Sequence, residues 1–568
     1  MLQRYTELLV NSINQSSYLN RPFELNQAIT RVNMRSMLVF AMLQIITGVA
    51  IAQSTGPQIR GSVFGGGNAA DVGGNSVVNI TAGTVEQDVF GGGQGETTTV
   101  VGNVTVNIGK STMTGEGGSA TTTTSSSAII TGDVYGGSAF GKVNATKTLD
   151  TEGNVTLTDG KETKVNLIKG TVKTKTVGEE TVGGSIYGGG KGQQASSTDE
   201  LIVADVYGKV TVTVSGGTAE NVYGCNNFAG SPQQAVEVNI EGGNINQNVF
   251  GGGHMADALG SIIVNIQGGT VTGDVYGGGA LASTNTANWD ETKNDNFGGW
   301  ADGKSSATNT TVVKLNGGVI EGDAYGGGLG NSATNTAAYV YGDVKVWLNK
   351  ANDTEDDIQA DTVCVVKGRI FGCNNNYGTP KGAVMVRVFG TKSPLEKGKV
   401  AKLSVTASEE ELSAHAYDVE AVYGGGNMAA YEPVNSLLEN NETNRNLILA
   451  AVPNVIIDGC QLTSIRQVYG GGNAASTPGT NVTINGTYEI GEVFGGGNGK
   501  STETFSNPGA NVGFKADNTT QYGSGKSQVN IAGGVIHSVY GGSNTLGNVR
   551  EVAVAMLEEE DSEGVADC

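Results

Sequence analysis

The chain has 568 residues, 90 of them Gly, and a formal net charge of −21. A glycine share more than twice the usual ~7% excludes a Leu/Ala-rich helical protein, 9 Pro without a three-residue period exclude collagen, and 38% hydrophobic residues exclude a disordered linker. An acidic balance with no Lys/Arg cluster also excludes a nucleic-acid partner, because phosphate contact needs a basic face.

From the N-terminus, Arg31 and Arg35 precede the apolar run Met37 to Ala52, which ends Ala50-Ile51-Ala52 before Gln53. Charge, a short apolar stretch and a small-residue site, in that order, mark a secretory signal. Residues 34–52 are therefore expected to be a signal peptide cleaved after Ala52, with 1–33 an artefact of start-site choice. The run of 16 residues is short for a membrane span of about 20. Export to the extracellular space or outer surface, with the periplasm as the other destination, is the expectation. Membrane contact is expected only through this segment or an unseen anchor.

Beyond Gln53 an aliphatic–aromatic–Gly motif recurs at Phe64, Phe90, Tyr135, Tyr187, Tyr223, Phe250, Tyr276, Tyr325, Phe371, Tyr423, Tyr469, Phe494 and Tyr540. The tightest spacings are 25 to 27 residues and the others 36 to 52, which gives a unit of about 26 residues with insertions. A period of this size signals a solenoid, propeller or array. Between the aromatics lies a V-x-V-N-I motif followed by Gly-Gly, as at Val238-Asn239-Ile240 and Val264-Asn265-Ile266. Its period-two alternation is that of a half-buried strand. A propeller blade needs about 40 to 45 residues in four antiparallel strands, more than the shortest copies hold. The pattern predicts an all-β fold: a single elongated parallel β-solenoid of about 12 coils over residues 53–548.

Stacked coils turn each sequence position into a column of like residues about 4.8 Å apart. Val and Ile columns fill the core, and glycine is expected to supply positive φ at the corners. The residue two before each aromatic is usually polar, so strict alternation aims the aromatics outward. The long insertions 111–131, 281–310, 349–362, 390–418, 428–453 and 498–527 emerge from common edges, where solenoids build binding surfaces. Residues 549–568 are read as an acidic tail, disordered or truncated.

The Gly-Gly-Gly motifs lack the helix and Lys-Ser/Thr frame of a phosphate loop, so no cofactor is expected. Gly92-Gly93-Gln94-Gly95-Glu96 only approximates a calcium-binding glycine repeat, and the cysteines form no CxxC pair, so no metal site is assigned. Cys225 and Cys373 lie four motifs apart, about 19 Å along the axis and beyond disulfide reach. Free, buried cysteines are expected, with Cys364 to Cys373 the remaining pairing. Asp88 with Asp133, and Asp274 with Asp323, share a position in consecutive coils; stacking sets them about 5 Å apart, the separation of retaining glycosidases. Solvated corner residues are the plainer reading, with no Arg, Lys or His recurring beside them. The aromatic column is the candidate binding strip, with Phe250, Tyr276, Tyr325, Tyr423, Tyr469 and Phe494 suited to stacking on sugars or docking a partner. Its competing reading is an internal ladder.

Over residues 61–548 this pattern resembles Gly-rich parallel β-solenoid proteins exported by Gram-negative bacteria, including autotransporter-like and haemagglutinin-like adhesins. The resemblance implies a secreted or cell-surface protein, and the expected function is non-enzymatic adhesion to glycans or surface proteins. A β-helix polysaccharide lyase or glycoside hydrolase acting through the four Asp is the second reading, and a purely structural surface protein the third.

Overall fold

Each V-x-V-N-I segment buries its alternate Val and Ile and presents its polar residues to water, so it can only be stable as one layer of a stack. The computed structural model describes residues 56–557 apart from 115–120, 147–155, 158–159, 294–298, 351–361, 394–407, 434–450, 500–508 and 518. The expected signal segment and the end of the acidic tail lie outside the described residues.

The parallel β-solenoid is observed, with two long parallel sheets of 19 and 13 strands running along its axis. The larger sheet collects the V-x-V-N-I strands, among them Val104–Ile108, Glu162–Leu167, Lys209–Val214, Val236–Ile245, Ile262–Val271 and Thr311–Ile320. Register is set by the repeat: Val106, Val165, Val212, Val238, Val264, Val313, Val346 and Val386 pair in one unbroken column. A one-residue slip would turn every buried Val to solvent.

The smaller sheet contains the aliphatic–aromatic pairs, from Val63–Phe64 to Ile536–Tyr540, one strand per motif. A third side is closed by single bridging residues, including Val72 with Val100, Val143 with Val206, and Val340 with Pro380. The three sides enclose an aliphatic core in which most Val, Ile and Leu are wholly buried.

Glycine plays two distinct roles, only one of which was expected. In the turn after V-x-V-N-I, Gly243 and Gly269 have φ of 79° and 75°, the left-handed region that favours glycine. The Gly-Gly-Gly glycines after the aromatics do not have positive φ. A Cβ on Gly251 would lie 2.4 Å from the Gly277 carbonyl oxygen, and one on Gly252 would lie 2.6 Å from the Gly279 nitrogen. At Gly251 and Gly252 the next coil's backbone passes too close for a side chain, so space selects glycine there, whereas other coils admit Cys225 and Cys373 at the position of Gly252.

Insertions leave the stack as antiparallel hairpins, such as Lys110–Thr114 with Thr121–Ser125, Thr174–Val177 with Glu180–Gly183, and Trp289–Asp290 with Gly299–Trp300. The stack also runs past residue 548, where the tail was expected to begin. Glu551–Met556 pairs parallel with Lys526–Ile531, because Val552, Val554 and Met556 continue the alternation. Among the described residues no helix is long and apolar enough to cross a membrane.

Candidate functional site

The aromatic column forms a continuous stack of thirteen rings. Successive centroids lie 4.6 to 4.9 Å apart with interplanar angles of 3 to 9°, from Phe64 through to Tyr540. Alternation does aim the rings away from the aliphatic core: the preceding Val or Ile belongs to that core, whereas the rings form a second cluster. Exposure does not follow, because Ala139, Ala280, Leu281 and Leu329, just after the glycine corners, fold back over the rings. Phe250, Tyr276, Tyr325, Tyr423, Tyr469 and Phe494 are each 4% exposed or less. From Phe90 to Phe494 the expected binding strip is thus an internal ladder of buried rings, and Tyr540, at the end of the stack, is 46% exposed.

The four candidate carboxylates are engaged in the same stack. Asp88 Oδ1 accepts the Asp133 backbone N–H at 3.0 Å, and Asp133 Oδ1 accepts that of Ser185 at 2.9 Å. Farther along, Asp274 Oδ1 accepts Asp323 N–H at 2.8 Å, and Asp323 Oδ1 accepts Arg369 N–H at 2.7 Å. Asn221 and Asn248 serve neighbouring coils in the same way. The second oxygens take ring hydroxyls: Tyr135 donates to Asp133 at 3.2 Å, Tyr276 to Asp274 at 2.8 Å and Tyr325 to Asp323 at 3.0 Å.

Cations do occur beside two of the Asp, contrary to expectation. Lys191 pairs with Asp88 at 2.9 Å, and Arg369 pairs with Asp323 at 2.7 Å. Burial pushes the Asp133 carboxyl up to about 6, against the Ser185 N–H that favours its charged form. A carboxylate with both oxygens held by its own stack is poorly placed to transfer protons to a substrate.

Cys225, Cys364 and Cys373 are free and buried, so the Cys364 to Cys373 bridge is not formed. Cys225 and Cys373 occupy corner positions and reach the carbonyls of Gly251 and Gly424 in the next coil. The histidines stay apart: His254 bonds Asn227 at 3.0 Å and His415 bonds Glu489 at 3.0 Å, in different coils. Among the described residues no group of three His, Cys, Asp or Glu could hold a metal ion.

Solvent-facing recognition chemistry gathers on another edge, where the 281–310 insertion meets the third side. The insertion leaves the coil through a rigid base. Asn285, at φ 59°, donates to the Gly260 carbonyl at 2.9 Å, and buried Asn288 donates to the Tyr341 carbonyl at 2.7 Å. This holds Trp289 against Tyr341, with centroids 5.0 Å apart, and Trp300 edge-on to Trp289 at 5.3 Å. Tyr339 and Tyr341 flank Val340 of the bridging column, so alternation buries Val340 and turns both tyrosines outward.

A cleft of about 680 Å³ opens there, lined by Asp257, Glu291, Trp289, Tyr339, Tyr341 and Tyr377 among others. A second, of about 420 Å³, continues past Tyr339 and Tyr377 toward Met428, Glu432 and Ser476. Burial and the neighbouring Tyr339, Asp257 and Glu291 push the Tyr341 hydroxyl well above its ordinary range, and burial with Glu291 raises Asp257. Lys381 lies 5.0 Å from the Tyr339 ring centre, and burial pushes its ammonium down to about 8.

None of these residues belongs to a motif. The available signal was compositional: two of the chain's three Trp lie in one insertion. Comparison with protein-family models, with curated proteins and with solved structures finds no match to this chain.

Proposed function

We propose that the chain is an exported, non-enzymatic β-solenoid that displays an edge of loops for interaction with glycans or other surfaces outside the cell. The observation that carries this reading is the occupation of Asp88, Asp133, Asp274 and Asp323 by backbone N–H groups of the next coil. The carboxylates that a lyase or hydrolase would need are structural acceptors, and the ring column is internal. The cleft around Trp289, Tyr339, Tyr341 and Tyr377 is concave and faces solvent, and aromatic faces beside polar groups suit saccharide recognition. The order of residues 31–53 supports export.

Incubation of the purified chain with acidic and neutral polysaccharides, followed by assays for unsaturated and reducing-end products, tests the non-enzymatic half. No new ends are expected, and their appearance would defeat it. A glycan array tests the interaction half, with binding expected and its absence favouring a purely structural fibre. Sequencing the mature N-terminus after cell fractionation tests export, with Gln53 expected as the first residue.

A further inference from the structure

The two clefts on the loop edge share Tyr339 and Tyr377 and follow the axis of the coil stack. Their floors come from six consecutive coils, at Asp257, Ser283, Tyr339, Gly378, Ala430 and Ser476. Five rises of ~4.8 Å make a groove about 24 Å long. That length suits a linear polymer lying along the stacked coils more than a single small molecule.

The lining narrows the polymer's chemistry. Asp257 and Glu291 face one cleft, and among the described residues neither forms an ion pair. Asp257 uses one oxygen to accept the Ser283 N–H at 2.7 Å, so its other oxygen and both of Glu291 are the charge on offer. An ammonium between them would gain charge-assisted hydrogen bonds, and the nearby ring faces attract a cation as well. A uronate or sulfate would meet like charge on a chain already at −21.

A peptide strand is disfavoured because adding a strand requires open backbone groups. The floor's backbone is already bonded along the column: Ala258 N–H to Ser283, Thr284 N–H to Tyr339, and Tyr431 N–H to Ser476. The lining side chains Ser283 and Asn335, with Thr286 and Thr336 whose hydroxyls also bond the Ala258 carbonyl and Thr334 Oγ1, suit the hydroxyls of a sugar.

Resting on the interaction reading above, we propose that this groove binds a linear glycan bearing free amino groups. An amino-sugar ammonium sits between Asp257 and Glu291, and the following sugars lie against Tyr339 and Tyr377.

The test is calorimetric titration of the full chain with a glucosamine oligomer, its N-acetylated counterpart, an oligogalacturonate and an oligolysine. The glucosamine oligomer is expected to bind at least tenfold more tightly than the other three. That preference should vanish in the Asp257→Asn/Glu291→Gln double variant, whose side-chain amide oxygen at the first position can still accept the Ser283 N–H, and binding should weaken in Trp289→Ala. Circular dichroism of each variant should match the parent. Equal binding of the N-acetylated oligomer, equal binding of oligolysine, or an undiminished preference in the double variant would each overturn the proposal. If the glucosamine oligomer fails but other glycans bind on the array, this inference falls and the interaction reading stands. If no glycan binds at all, both fall.

Discussion

A side chain in this stack is judged by what it does for the residue one coil away. Asp133 holds the Ser185 N–H through Oδ1, a task that Asn221 and Asn248 perform elsewhere in the same column. Its charge is therefore unnecessary to the ladder, and burial raises its pKa from 3.8 to about 6. A raised carboxyl contributes stability that is fully present below the unfolded value and lost as pH rises through the folded one. Asp133→Asn should match the parent near pH 4 and exceed it by about 1–2 kcal/mol at pH 7.5, below the ceiling of about 3 kcal/mol that two pKa units set. Urea midpoints across that pH range check it, and a constant difference would contradict it. Gly252 makes the complementary case. A Cβ there would lie 2.6 Å from the Gly279 nitrogen, so Gly252→Ala should cost about 2–3 kcal/mol, read from the same midpoints. A neutral outcome would mean that its coil can shift.

At the scale of the element, the ring column acts as a second core beside the aliphatic one. Each inner ring lies between two others at 4.6 to 4.9 Å, so removing one opens a gap on both faces. Tyr276→Ala should cost about 3–5 kcal/mol, the range for large core truncations, whereas Tyr325→Phe keeps the stack and loses only the 3.0 Å bond to Asp323, about 1 kcal/mol. Thermal denaturation of the two variants should show that order. Strand identity, register and ring direction were all legible in the sequence, because period-two alternation and a fixed motif spacing specify them directly. The roof over the rings was not. Ala139, Ala280, Leu281 and Leu329 follow the glycine corners in segments without a period, and whether they cover a neighbour depends on the path of the next coil. The two kinds of glycine were equally indistinguishable by letter, since positive φ at Gly269 and a crowded Cβ at Gly252 select the same residue.

Over the whole molecule, a repeat that fixes its coils so tightly leaves variation to the insertions. The sequence marked 281–310 as an insertion and placed such loops on common edges, but the cleft joins Trp289 to Tyr339, Tyr341 and Tyr377 from other coils. No linear motif records that meeting. The candidate site was therefore legible as a place and not as a set of residues, while the recurring rings and Asp are packed and bonded within the stack.

The division between spine and edge is measured most directly by comparing Tyr276→Ala and Trp289→Ala for both urea stability and glycan binding. The spine variant should lose several kcal/mol of stability and keep parental affinity below its unfolding transition. The edge variant should keep parental stability and bind more weakly. Loss of glycan binding in a folded Tyr276→Ala variant, with Trp289→Ala binding like the parent, would contradict the account.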